Sequence, residues 1–254
     1  MQGEGKEVSG HDVLRYYNGK LVLEHYEEAT RRVGMWASEG LVFRQSFPDR
    51  EASLLELGCG TGRVCFSLWM LGYGNLTATD FSKPMIERAI LNQREKGSRI
   101  RFGVEDATSL SFPDKSFDGL IFGFNGLMQI PKRKNRQRAM TEAFRVLKAG
   151  ARFVFTTHDR DFPKWKKFWA VEKKKWRKGK QDKSLIEFGD RFEETSKGKL
   201  FIHVPESAEI RQDLKKAGFV VERDILRSRL VEESQLVKEF SDECRFWVAR
   251  KPAG

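Results

Sequence analysis

The chain has 254 residues, 39% hydrophobic and 33% charged, which is enough for one α/β core with an added lid and too short for two full domains of ordinary size. No stretch approaches the ~20 consecutive apolar residues of a membrane-spanning helix, and the opening Met1 to Lys6 lacks the apolar run of a signal peptide. With 47 basic against 36 acidic residues the net charge is +11, which leaves a polyanion partner open.

From Val8 to about Phe47, apolar residues such as Val13, Leu14, Tyr17, Leu21, Tyr26, Val33 and Trp36 recur at mostly three- and four-residue steps. The spacing predicts one or two helices, an N-terminal helical cap over residues 1–47. His11 and His25 read as surface or packing residues of that cap. The three cysteines, Cys59, Cys65 and Cys244, cannot all pair and show no Cys-x-x-Cys zinc spacing. Reduced thiols, a cytoplasmic location and no bound metal are the expectations.

Leu54 to Leu57 is an apolar strand that runs into Gly58-x-Gly60-x-Gly62. Alternate glycines let the chain bend sharply off a buried strand and bring bare backbone N–H groups against a ligand. A dinucleotide fingerprint needs its third glycine one place later, where Arg63 stands, so NAD and FAD are disfavoured. The plain alternative is a tight strand-to-helix connection. Next, Leu76 to Thr79 is a short strand ending in Asp80, close to ~20 residues beyond the glycines, where a carboxylate can accept two ribose hydroxyls. Asp80 or Ser82 also suits an N-cap before Lys83-Pro84. A third strand, Ile100 to Val104, leads to Glu105-Asp106-Ala107. The fourth, Phe117 to Phe124, delivers Asn125 at its carboxyl end, where open α/β sheets bind ligands. Arg138 to Gly150 reads as an amphipathic helix closed by glycine before a fifth strand, Arg152 to Thr157.

The segment Asp159 to Ser207 is longer than ordinary α/β connections. Between Arg160 and Lys183, lysines interleave with Trp165, Phe168, Trp169 and Trp176 at helical spacing. On a helix these make an apolar stripe flanked by lysines, suited to a lid packed on the core or to a basic face for nucleic acid or a membrane surface. A hairpin is predicted from Ser184 to Phe188 and Leu200 to Val204 around the polar Glu193 to Gly198. Ala208 to Ala217 is a helix stopped by Gly218, and Phe219 to Leu226 and Cys244 to Ala249 are the last two strands.

With Glu56 in front, the glycine turn resembles the first motif of the class I S-adenosylmethionine-dependent methyltransferases, in the small-molecule-type branch. The order Asp80-Phe81-Ser82-Lys83-Pro84-Met85, Glu105-Asp106-Ala107, Phe117-Asp118-Gly119-Leu120 and Leu147-Lys148-Ala149-Gly150 is similar to that family's over about residues 50 to 157. Ala149-Gly150-Ala151 departs from its common Pro-Gly-Gly. The resemblance implies an α/β fold: a seven-stranded, mostly parallel, doubly wound sheet with an antiparallel last strand, the helical cap, and a lid insertion at 159–207 within a methyltransferase domain of 48–254. It further implies S-adenosyl-L-methionine as cofactor, held by Glu56, Gly58, Cys59, Gly60 and Gly62, by Asp80 and Phe81 at the ribose, by Asp106 and Ala107 at the adenine, and by Asn125 near the methyl group. In many relatives an N-terminal segment folds over the cofactor, so Tyr16, Tyr17 and Tyr26 are candidates to border the substrate, with ordinary helix packing the favoured reading for at least two of the three.

The implied reaction is an in-line attack on a sulfonium methyl, in which aiming the reactants in a dry site supplies roughly 7–11 kcal/mol. A base is helpful but not essential. His158, directly after the fifth strand with Asp159 beside it, is the leading base, and His203 is a second candidate that would touch substrate. Phe124-Asn125-Gly126-Leu127 lacks the Asn/Asp-Pro-Pro-aromatic motif of base-amino methylation, the cysteine of cytosine carbon-5 methylation, the glutamate pair of arginine methylation and the carboxylates of metal-dependent catechol methylation. The expectation is methyl transfer to O or N of a small molecule. An RNA or protein methyltransferase using the Trp/Lys-rich insertion, with bases stacked on Trp165, Trp169 or Trp176, and a non-catalytic cofactor-binding protein are the alternatives.

Overall fold

A computed structural model describes residues 6–253; the first five residues of the expected cap lie outside them. The sheet is built around strands whose side chains are apolar on both faces, as strands covered by helices on each side require. Leu54–Leu57 (β1) is buried throughout, and Phe117–Phe122 (β4) nearly so. Leu76–Asp80 (β2) and Arg101–Val104 (β3) complete one half. Leu147–Thr157 (β5), Val220–Leu226 (β8) and Arg245–Arg250 (β9) complete the other. The seven strands run in the order β3-β2-β1-β4-β5-β9-β8, parallel except for β9, which is antiparallel to both neighbours. This is the expected sheet.

Period-two alternation divides the core. Leu54, Ile121, Val154 and Phe246 face one cluster, and Leu55, Leu120, Phe153 and Trp247 face the other. Arg63–Met70 (α4) and Lys83–Lys96 (α5) pack on the first face, Arg133–Val146 (α6) and Ser207–Ala217 (α8) on the second. Strand order reverses between β1 and β4, which opens a crevice beyond their carboxyl ends.

Four local expectations are corrected. The N-terminal segment forms three α-helices, Gly10–Tyr17 (α1), Lys20–Glu28 (α2) and Ala37–Ser46 (α3), with a π-helical turn at Ala29–Val33. Trp36, Val42, Phe43 and Phe47 belong to the main core, because α3 packs against one face of the sheet and is no part of a cap over the cofactor. Helix α6 begins earlier and ends at Val146; Gly150, with φ of 78°, sits within β5 and donates its N–H to the Lys251 carbonyl at 2.9 Å. Strand β4 stops at Phe122, and Phe124 and Asn125 follow in left-handed conformations, φ of 48° and 60°.

In the insertion, the hairpin pairs Asp190–Thr195 (β6) with Gly198–His203 (β7) across the two-residue turn Ser196-Lys197. Residues 184–188 are a loop that packs Leu185 against Val8, Val13 and Phe201. Lys166–Arg177 (α7) lies over the hairpin, and Gln235–Phe240 (α9) precedes β9. Among the described residues, no helix is long and apolar enough to cross a membrane.

Candidate active site

A cavity of about 370 Å³ opens beyond β1, β2 and β4. Glu56, Gly58, Cys59, Gly60, Asp80, Phe81, Asp106 and Ala107 all border it, with Tyr17 and Tyr26 from the N-terminal helices and Phe240 from α9 closing over it. Its size is that of a small-molecule or cofactor pocket.

The glycine turn supplies its floor. Gly60 has φ of 56°, a conformation side chains resist, and a Cβ there would stand 3.3 Å from the Tyr26 ring. Its N–H donates to Asp80 Oδ2 at 2.9 Å, and the Ser82 N–H donates to Asp80 Oδ1 at 2.8 Å. The carboxylate thereby ties the end of β2 to the turn after β1 and keeps lone pairs on both oxygens. Burial pushes its pKa up, against the backbone hydrogen bonds. Ser82 accepts from the Met85 N–H at 3.4 Å and is the cap of α5.

Gly62 lies outside the cavity wall; it caps α4 with φ of 100°, and a Cβ would strike the Phe66 ring at 2.3 Å. Cys59 contributes backbone, since burial pushes its thiol far above the ordinary range. Asp106 is exposed and accepts from the Thr108 N–H and hydroxyl, both at 2.8 Å.

Sequence reasoning missed the charge cluster beneath this floor. Arg63, on the first turn of α4, makes two 2.6 Å bonds to Glu39 of α3 and donates to the Gly34 carbonyl at 2.7 Å. An arginine at a helix N-terminus opposes the dipole, a signal that it needs a buried acid. Glu56 is buried beside this pair with no partner for Oε2 among the described residues. Burial, reinforced by the Glu39 charge and opposed by Arg63, pushes its pKa up to about 8.

The base candidate is placed elsewhere. His158 borders a second hollow of about 310 Å³, with Asp159, Phe162, Trp165, Trp169 and Arg191 among its walls. Its Nδ1 faces the Glu243 carbonyl at 2.9 Å, so that nitrogen carries the proton, and Nε2 lies 3.4 Å from Asn125 Nδ2. Asp159 does not orient the ring, because Arg245 holds its carboxylate at 2.6 Å. Asn125, expected near the methyl group, is buried and borders neither hollow; its N–H donates to Thr156 Oγ1 at 2.8 Å, its amide lies beside His158, and its Oδ1 has no partner among the described residues.

Of the tyrosines, Tyr17 and Tyr26 face the first cavity, and burial pushes both phenols up. Tyr16 instead lies 3.3 Å from Thr195 Oγ1 of β6, outside the cavity. His203 is likewise outside both hollows: it is buried between Asp190 at 2.7 Å and Glu209 at 3.0 Å. Glu187, Asp190 and His203 hold ligand-type atoms within 4.8 Å of one another. Arg136 at 2.6 Å and the Arg133 N–H at 2.6 Å already occupy both oxygens of Glu187, so the group is a closed ion-pair network. It ties the insertion to α6 and α8. The insertion's aromatic stripe turns inward: Trp169 packs with Met128, Ile202 and Val204 and is 7% exposed, which leaves it unfit as a stacking platform for bases.

Residues 54–150 match the methyltransferase-domain family. Demethylmenaquinone methyltransferase from Lactiplantibacillus plantarum is 35% identical over 123 residues, 46% of this chain and 50% of that one. A ubiquinone/menaquinone biosynthesis C-methyltransferase from Zymomonas mobilis is 35% identical over 112 residues, 42% of each. The chain thus spans half or less of the length of these curated relatives. Among solved structures, the Burkholderia thailandensis 1,6-didemethyltoxoflavin-N1-methyltransferase, with its acceptor and S-adenosylhomocysteine bound, shares the fold with a TM-score of 0.62 at 16% identity, over 98% of this chain and 93% of that one. Over residues 54–150 the glycine turn and the family match coincide: this stretch of the chain is similar to the methyltransferase-domain family, and it lies within a sheet of Rossmann-like strand order.

Proposed function

We propose that this protein is an enzyme that transfers a methyl group from S-adenosylmethionine to a small-molecule acceptor. The observation that carries the reading is the clasp between Asp80 and the Gly60 N–H at the carboxyl ends of adjacent parallel strands. Two features fit the cofactor. The turn at Gly60 has no side chain to fill the space under Tyr26, and the unpartnered Glu56 Oε2 is a vacant acceptor for an ammonium group.

When bound, the cofactor supplies a methyl carbon on a sulfonium, a leaving group that needs no further activation. The chain's own residues then bind and aim. Asp80 accepts from ribose hydroxyls, Glu56 ionises against the ammonium, and Asp106 and the Ala107 N–H meet the adenine edge. Tyr17, Tyr26 and Phe240 exclude water, which makes collinear approach effective. Where an acceptor proton must leave, His158 Nε2 would take it from an acceptor beside the methyl group only after Asn125, whose amide faces that nitrogen at 3.4 Å, turns aside. The acceptor atom is O or N on this reading; the Zymomonas mobilis relative is named a C-methyltransferase, and carbon joins the acceptors to be assayed. Three free, buried cysteines fit a reducing, cytoplasmic setting.

Titration calorimetry tests the site. The parent should bind S-adenosylmethionine, Asp80→Ala should bind about thirtyfold more weakly through loss of charge-assisted hydrogen bonds, and Gly60→Val should lose at least about a hundredfold. Parent-like affinity in Gly60→Val would falsify the assignment. Transfer of labelled methyl to quinol, phenol and amine acceptors then separates an enzyme from a cofactor-binding scaffold.

A further inference from the structure

Helix α7 is two-sided. Phe168, Trp169, Glu172 and Trp176 turn toward the hairpin and are buried or half-buried, while Lys166, Lys167, Lys173, Lys174, Arg177 and Lys178 are exposed. Among the described residues, no carboxylate lies within 4.0 Å of any of these six cations. The neighbouring Lys164 and Lys175 differ, being paired with Asp242 at 2.8 Å and Glu172 at 2.6 Å. Val171 stands 53% exposed among the outward lysines. Six cations without an ion-pair partner among the described residues therefore share the solvent side of one lid helix and its C-terminal cap.

We propose that this face of α7 docks on an anionic lipid bilayer. Clusters of four to eight basic residues on an amphipathic helix gain roughly 1 kcal/mol per side chain near a negatively charged membrane surface. Lysine dominates here. Its flexible point charge suits a diffuse layer of head groups, whereas clamping individual phosphates favours the arginine fork. Nucleic acid fits less well because the aromatic residues that would stack on bases face inward: Trp169 is 7% exposed, and Trp176 packs edge-on to Phe188 at 6.0 Å. The inference is independent of the methyl acceptor and of the cofactor site.

Vesicle sedimentation tests it with the full chain. The protein should bind phosphatidylcholine vesicles that contain phosphatidylglycerol at low ionic strength, ignore pure phosphatidylcholine, and be released at about 1 M salt, where the Debye length is ~3 Å. K166E/K167E/K173E/K174E should lose at least about a hundredfold in partitioning, with circular dichroism and thermal midpoint like the parent's, since the four side chains make no folded-state ion pair. Glutamine at the same four positions should fall between, and gives the answer should the charge-reversed chain fold poorly. Equal binding to charged and uncharged vesicles, or parent-like binding by both variants, overturns the proposal. Retention on single-stranded RNA at the salt concentration that strips the protein from vesicles also overturns it and reassigns the face to nucleic acid.

Discussion

The cavity at the glycine turn and the hollow at His158 lie at the same end of the sheet but have different walls. The first is made chiefly by backbone and strand ends, with Gly58, Gly60 and Asp80 contributed by one stretch from β1 to β2. The second joins His158 and Asp159 after β5, Trp165 and Trp169 around α7, Arg191 of β6 and Glu243 before β9. Their buried charges differ in the same way. Glu56 at the first cavity has an unsatisfied oxygen and a pKa raised to about 8. Glu209, in the network that holds the insertion, is pushed up by burial but brought down to about 2 by the His203 hydrogen bond and charge, with help from Arg136 and Arg133. One carboxyl is short of a cation and the other has its cations supplied. A site kept short of a partner is built to receive one, whereas a satisfied network is built to hold structure.

Deleting the central arginine of each cluster would strain this contrast most. Arg63→Met leaves Glu39 buried without its cation and should cost about 3–5 kcal/mol of global stability in urea titration. Arg136→Met leaves His203 still bonded to Glu209, so a smaller global loss is expected, with early proteolysis in residues 184–189 where the insertion meets the body. Equal global losses would mean that the insertion and the sheet form one cooperative unit.

Proton linkage sharpens it next. Glu56 holds its proton at pH 7 when folded and has lost it when unfolded, so its contribution to stability without cofactor falls as pH rises from about 4.5 to about 8. An ammonium arriving at Oε2 expels that proton. Cofactor affinity should therefore rise with pH up to about 8, by at most about tenfold per unit, and calorimetry in buffers of different ionisation enthalpy should detect proton release. Glu209 has the opposite sign, its stabilisation being present above about 4.5 and lost as pH falls toward about 2. The insertion should loosen in acid before the sheet does, visible as tryptophan exposure. The smallest effect belongs to His158→Gln. It should leave cofactor affinity within about twofold, because the ring borders the other hollow, and should lower turnover only with acceptors that must shed a proton. A large loss of cofactor binding would show that the two hollows act as one.

Legibility follows the same division. The strand, glycine turn and Asp80 could be read because a sharp turn and a carboxylate at a strand end are local requirements that few residue types meet. Helix α6 and the hairpin were misplaced because Gly150 and residues 184–188 carry the right composition for a cap and a strand, while pairing with Lys251 and packing against Val8 decide otherwise. His158 stood at the right end of the right strand, yet the Glu243 carbonyl, 85 residues away, turned its ring to the second hollow.

What the sequence alone determined was the parallel core and the cofactor end of the sheet, since alternation of apolar residues and glycine's conformational freedom act within a few residues of chain. The tertiary structure decided which side chains face which hollow, the Arg63–Glu39 pair spanning 24 residues, and the inward turn of the insertion's tryptophans. Those outcomes depend on burying charges with partners and on packing between distant segments, and neither is written at any single place along the chain.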